Sequence, residues 1–97
     1  MLLQDRLGQT IEMARRQGSQ FAVLFMDLDR FKDINDAFGH ALGDQLLQSI
    51  AQRLLSCVRQ SDTVSRQGGD EFVLLLRAIK RAEDARLTGQ KILTAFE

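Results

Sequence analysis

The 97-residue chain has no proline and a single cysteine, Cys57. One thiol permits neither an intrachain disulfide nor a thiolate metal cluster. In its context, RLLSCV, it reads as a small buried apolar residue. Histidine is equally scarce. No second histidine and no neighbouring cysteine accompanies His40, so a structural place in the turn beside Gly39 is expected rather than a ligand or base. Net charge is missing too: thirteen basic and thirteen acidic residues cancel. No field of one sign therefore steers the chain to nucleic acid or to an anionic membrane surface. No apolar run is long enough to cross a bilayer, and MLLQDRLGQ carries acid and base where a signal peptide would be apolar. A cytoplasmic protein, or the cytoplasmic part of a membrane-anchored one, is expected. Repeats, low-complexity segments and linkers are also absent, which leaves one domain over residues 1–97.

What is present suits a folded domain, with 44% apolar and 27% charged residues. Leu3, Leu7, Ile11 and Ala14 recur at helical spacing, Arg15 and Arg16 follow where a helix C-terminus favours cations, and Gly18 supplies a stop. A first helix over 2–17 is expected. FAVLFM (21–26) is short, continuous and apolar, the pattern of a strand buried on both faces. Phe31, Ile34 and Phe38 suggest a short helix closed by Gly39. A long amphipathic helix follows from Leu42 to Val58, with Asp44 in its first turn. Residues 63–66 and 72–77 read as a hairpin around Gly68-Gly69. Ala85, Ile92, Leu93 and Phe96 mark a last helix, weakened by Gly89. The order α-β-α-β-β-α implies an α+β fold, most of a ferredoxin-like βαββαβ sheet with helices on one face and no final strand. That strand would lie beside FAVLFM, leaving it at an open edge that a partner would be expected to cover.

Asp27 and Asp29 leave the end of the FAVLFM strand, and the hairpin turn with Asp70 and Glu71 would lie beside that end. Carboxylates this close call for a cation, and an all-oxygen set without histidine or cysteine suggests Mg²⁺. Gly68 and Gly69 would let a ligand approach the backbone; a solvated hairpin is the plainer alternative. DLDRFKDINDAF is no EF-hand: counted from Asp27, Lys32 stands at the glycine position and Phe38 at the closing glutamate. Asn35 and Asp44 are an amide and a carboxylate suited to a guanine edge, or else a pair of helix caps. Arg59 and Asp62 have an easy structural reading at a helix end.

MDLDRFKDINDAFGHALGD followed by RQSDTVSRQGGDEF resembles the GGDEF domain of diguanylate cyclases, over essentially the whole chain. That resemblance implies a cyclase palm fold in which two GTP molecules are joined into cyclic di-GMP with release of two pyrophosphates. Asp27, Asp70 and the Leu28 carbonyl would hold Mg²⁺ (or Mn²⁺). Asp70 would also act as base toward the ribose 3′-hydroxyl, with Glu71 assisting at the metal. Asn35 and Asp44 would read guanine, backbone around Arg30, Phe31 and Lys32 would cradle phosphates, and Gly68 and Gly69 would leave room for the nucleotide over the turn. Arg59-x-x-Asp62, separated by five residues from GGDEF, resembles the family's inhibitory site for the product. Activity would need a homodimer, controlled by attached sensory or phosphodiesterase domains. The alternative is a non-catalytic module that binds GTP or cyclic di-GMP to regulate such a domain. Relative to the family, a D-x-L-T-x-L-x-N-R segment before Met1 is missing, as are strands and triphosphate-binding basic residues after Glu97, which implies a domain truncated at both ends.

Overall fold

The structure is a computed structural model that describes residues 2–29 and 31–96. Seven elements follow in order: α1 (Leu3–Gln17), β1 (Gln20–Asp27), α2 (Phe31–Phe38), α3 (His40–Leu55), β2 (Thr63–Arg66), β3 (Glu71–Ile79) and α4 (Ala82–Ala95). α1 ends as its sequence requires. Gly18 adopts the left-handed conformation at φ +66° and returns its N–H to the Ala14 carbonyl, a position where a side chain would be strained. The start of α4 is held by Asp84, its third residue, whose Oδ2 accepts the backbone N–H groups of Lys80 and Arg81, each at 3.1 Å. That carboxylate satisfies donors that the first helical turn leaves free.

The strands form one antiparallel sheet in the order β1-β3-β2. β3 is the central strand, and Phe72 to Leu76 are all at most 3% exposed. Alternation along β3 divides the packing. Phe72 and Leu74 join Leu47, Ile50 and Leu54 of α3, Ile92 of α4, Cys57 and Phe31 in the main core. On the opposite side α1 contacts β1 and β3, and its Met13 sulfur accepts from Arg77. α1 turns Thr10 inward, where the hydroxyl bonds the Arg6 carbonyl at 2.9 Å. The expected α+β sheet is therefore present, but its helices do not all lie on one face, since α1 packs opposite α3 and α4.

Two expectations need correction. FAVLFM is not buried on both faces: β1 is half-buried, and Phe25 is 74% exposed. Its apolar composition matches a central strand, but among the described residues β1 pairs on one side only, with β3. Its other edge borders a groove of about 660 Å³ shared with Ala85, Gly89, Leu93 and Phe96 of the α4 segment. Leu93, one of the residues that mark the last helix, is accordingly 65% exposed. In addition, Asp44 is the fifth residue of α3 and lies beyond its first turn, because the helix starts at His40. Cys57 is buried as expected, and His40 is exposed at the helix start.

β3 also runs two residues past the expected strand, to Ile79. The register shifts between Gln20 and Ala22, and Ala78 opposite this shift has φ +51°. A bulge of this kind lets the strand continue while absorbing an extra residue. Among the described residues, no helix is long and apolar enough to cross a membrane.

Candidate active site

The sheet register brings the acidic segments together. Asp27, the last residue of β1, pairs with Glu71, the first of β3. Residues directly opposite on antiparallel strands project to the same face. One step further, the Leu28 N–H donates to the Asp70 carbonyl at 3.0 Å. The ladder thus continues past the strand end and holds Asp70 against the Asp27-Leu28-Asp29 segment. The Leu28 side chain packs on the main core, which anchors this backbone, while Asp27, Asp29 and Asp70 are exposed and Glu71 is half-buried.

Four carboxylates on adjoining backbone repel one another unless a cation joins them. Among the described residues, no three His, Cys, Asp or Glu side chains gather closely enough to enclose a metal by themselves. Mg²⁺ asks for less: one or two carboxylates, with water and phosphate oxygens completing its shell. Asp27, Asp70 and the Leu28 carbonyl supply hard oxygen donors only, and that chemistry fits Mg²⁺ or Mn²⁺.

The turn between β2 and β3 is strapped by a residue that the sequence pattern did not single out. Arg66 donates from Nε to the Gly68 carbonyl at 2.9 Å and from Nη2 to the Gly69 carbonyl at 3.4 Å. The Gln67 N–H closes the loop on the Glu71 carbonyl at 2.9 Å. An arginine two and three residues before the carbonyls it binds was the available signal. Neither Gly68 nor Gly69 has a positive φ, and a Cβ at either would meet nothing within 4 Å. Neither backbone conformation nor internal packing asks for glycine here. What the glycines leave is bare, accessible main chain directly before Asp70.

α2 starts at Phe31, whose side chain is 5% exposed and belongs to the core. Any role of Phe31 toward a ligand is therefore that of its backbone N–H, at a helix start where such groups lack intrahelical partners. Lys32 is exposed, and Arg30 lies outside the described residues. Asn35 is half-buried within α2, and its carbonyl accepts the Gly39 N–H at 2.8 Å. The helix cap of α3 is Gly39, with no side-chain hydrogen bond at the cap, so neither Asn35 nor Asp44 caps that helix. Instead the Asn35 amide lies against the backbone of Gly43, immediately before the exposed Asp44. The structure thus places the amide next to the residue that precedes the carboxylate.

Arg59 and Asp62 lie together, away from the acidic cluster. The Arg59 guanidinium meets Asp62 from Nε at 3.1 Å and from Nη2 at 2.9 Å, and the Arg59 N–H reaches Oδ2 at 2.9 Å. Asp62 Oδ1 also accepts the Arg77 N–H at 3.0 Å, while Arg59 Nη2 donates to the Arg77 carbonyl. β2 ends before it can pair Arg77, so the Arg59–Asp62 pair takes over both backbone groups of that residue. The Asp62 side chain is 3% exposed. Burial pushes its pKa up, but hydrogen bonds from the Arg59 side chain and from the Arg59 and Arg77 N–H groups outweigh it and hold the carboxyl below its ordinary value. The hydrogen bond to Asp62 in turn raises the Arg59 pKa. The pair borders an open groove of about 470 Å³ that also exposes Lys80 and Lys91.

The full chain, residues 1–97, matches the family model described as "Diguanylate cyclase, GGDEF domain". It is 58% identical over 87 residues to the bifunctional diguanylate cyclase/cyclic di-GMP phosphodiesterase MucR of Pseudomonas aeruginosa, covering 90% of this chain and 13% of MucR. It superposes on the crystal structure of the GGDEF domain of TpbB from Pseudomonas aeruginosa with a TM-score of 0.89 and 44% identity, over 94% of this chain and 56% of that one. The GGDEF domain of DgcB from Caulobacter crescentus, solved in complex with c-di-GMP, gives a TM-score of 0.83 at 27% identity, over 92% of this chain and 52% of that one. The chain spans about half of each of these two solved structures. With its paired acidic strand ends, its glycine turn and these likenesses together, the chain belongs to the GGDEF domain family of diguanylate cyclases.

Proposed function

We propose that the protein containing this chain joins two GTP molecules into cyclic di-GMP in a Mg²⁺- or Mn²⁺-dependent reaction across a pair of facing domains. The observation that carries this reading is the register that sets Asp27 opposite Glu71 and ties Leu28 to Asp70. Asp27, Asp70 and the Leu28 carbonyl would hold the metal, with Glu71 beside them. When bound, that ion would neutralise charge on the phosphate oxygens.

The residues of the chain then position and move a proton. Asn35 and Asp44 read the guanine edge, the carboxylate accepting from its N–H groups. Backbone N–H groups at the start of α2, around Arg30, Phe31 and Lys32, and the bare turn of Gly68 and Gly69 receive the phosphates. Asp70 takes the proton from a ribose 3′-hydroxyl, whose oxygen forms a bond to the α-phosphorus of the GTP held by the opposite domain. The bond from that phosphorus to the pyrophosphate oxygen breaks, and pyrophosphate leaves. Because each domain holds one GTP, a monomer should be silent.

The groove beside Arg59 and Asp62, with Lys80 and Lys91, suits an anionic nucleotide, and cyclic di-GMP is the ligand proposed for it. An arginine fork matches both phosphate and a guanine edge. Covalently attached sensory or phosphodiesterase domains would set the pairing of the cyclase domains. The location proposed for all of this is the cytoplasm.

The test is incubation of the full-length protein, verified as a dimer, with GTP and Mg²⁺. Cyclic di-GMP should form, and Asp70→Asn should lower turnover by at least about a hundredfold, the usual minimum for losing a general base. GTP binding without turnover would overturn the enzymatic reading and leave a nucleotide-binding regulatory module.

A further inference from the structure

α3 carries a glycine at its fourth position, Gly43, and this residue is buried. A glycine inside a helix is less stable than alanine because more conformational freedom is lost on folding. Its backbone has no positive φ, so conformation does not require it. Space does. A Cβ on Gly43 would lie 1.8 Å from Asn35 Oδ1, 3.0 Å from Asn35 Cγ and 3.4 Å from Phe31 Cζ. Phe31 is a core ring at 5% exposure and has nowhere to go. The group that would have to leave is the Asn35 amide.

That amide is unusual in itself. Its Oδ1 is wholly buried and accepts no hydrogen bond. Buried acceptors are almost always satisfied, and an orphan one is unfavourable. The notch between α2 and α3 thus gives up stability twice, once through the glycine and once through the unpaired oxygen. With the oxygen closed off in the notch, what is kept at that expense is the orientation of the amide, whose nitrogen is left for a ligand.

We propose that Gly43 is a positioning residue for nucleobase binding: its missing Cβ lets the Asn35 amide rest in the notch beside Asp44, set to meet a base edge. This rests on the reading of Asn35 and Asp44 as the guanine-recognising pair. Gly43 touches no ligand itself. Any side chain there, alanine included, expels the amide and removes the recognition that depends on it.

The experiment is a double-mutant cycle in the full-length protein with Gly43→Ala, Asn35→Ala and both together. Thermal melting reads the notch without any ligand. Gly43→Ala should lower the melting temperature in the unsubstituted background. In the Asn35→Ala background it should be neutral or raise it, since alanine favours the helix and the clash is gone. If Gly43→Ala alone does not fold, folding of the double variant carries the same result. An equal effect of Gly43→Ala in both backgrounds overturns the proposal. GTP kinetics read the positioning. Gly43→Ala should raise KM about tenfold, the worth of one well-placed hydrogen bond, with little change in kcat, and Asn35→Ala should add nothing further. Unchanged KM in Gly43→Ala, in a protein that binds GTP, overturns this proposal alone. No GTP binding by the unsubstituted protein overturns the guanine reading and this one together.

Discussion

Asp62 shows how much one carboxylate can do at the scale of a single residue. It takes donors from the side chain and backbone of Arg59 and from the backbone of Arg77. Its folded pKa is held below the unfolded value. The stability it contributes is therefore complete above the unfolded carboxyl pKa of about 3.9 and is lost as pH falls through the lower folded value. Asp62→Ala should lower stability at neutral pH by about 1–3 kcal/mol, because the Arg77 N–H and the Arg59 donors lose their acceptor. The difference between the two proteins should shrink below about pH 3.9, which urea denaturation across pH 2–7 would reveal. A constant difference at every pH would show that packing, not charge, explains Asp62. The same bonds bear on the proposed product site, since a ligand claiming the Arg59 guanidinium competes with Asp62 and with the Arg77 carbonyl for it.

At the scale of elements, α3 and α4 are tied at one end by Arg53. Its Nη1 donates to the Ala95 carbonyl at 3.1 Å, and its guanidinium lies 5.6 Å from the centroid of the Phe96 ring. The carbonyl is among the last of α4, where no intrahelical donor remains. Arg53→Ala should lower stability by about 0.5–1.5 kcal/mol, and amide exchange should rise in the last turn of α4 but not in α3. Elements of this kind were legible in the sequence because helical periodicity and stop signals coincide. Leu3, Leu7 and Ala14 with Gly18 bound α1, and Gly39 separates α2 from α3. The continuation of β3 to Ile79 was not legible, since it depends on a bulge at Ala78 that no pattern of apolar residues announces. Arg53 and Arg77 were equally invisible, because both act over a sequence distance, the first through its side chain to α4 and the second through its own N–H and carbonyl groups.

For the whole molecule, the informative contrast is between β1 and β3. Both are apolar runs, and only the pairing distinguishes an edge from a centre. Composition therefore suggested burial on both faces for FAVLFM, whereas the topology of the elements already implied an open edge. The candidate site was legible for a related reason: strand order alone sets the end of β1 beside the turn into β3, so Asp27 and Asp70 converge without any knowledge of side-chain packing. The apolar edge itself carries a prediction. With Phe25 74% exposed and one side of β1 unpaired, the 97-residue polypeptide by itself should associate as its concentration rises. Phe25→Lys should shift sedimentation toward the monomer, and association unaffected by that change would place the contact elsewhere.

The Arg66 strap across the glycine turn has one more consequence. Its acceptors are the carbonyls of Gly68 and Gly69, which carry no formal charge. An ion pair at an exposed turn weakens as dissolved salt shortens the range of the Coulomb force, to about 3 Å at 1 M. A cation held by neutral oxygens is far less sensitive. The turn that presents Asp70 should therefore keep its order in brines that loosen ordinary surface ion pairs, and amide exchange at Gln67, whose N–H closes the turn on the Glu71 carbonyl, should be nearly the same in dilute buffer and in molar sodium chloride.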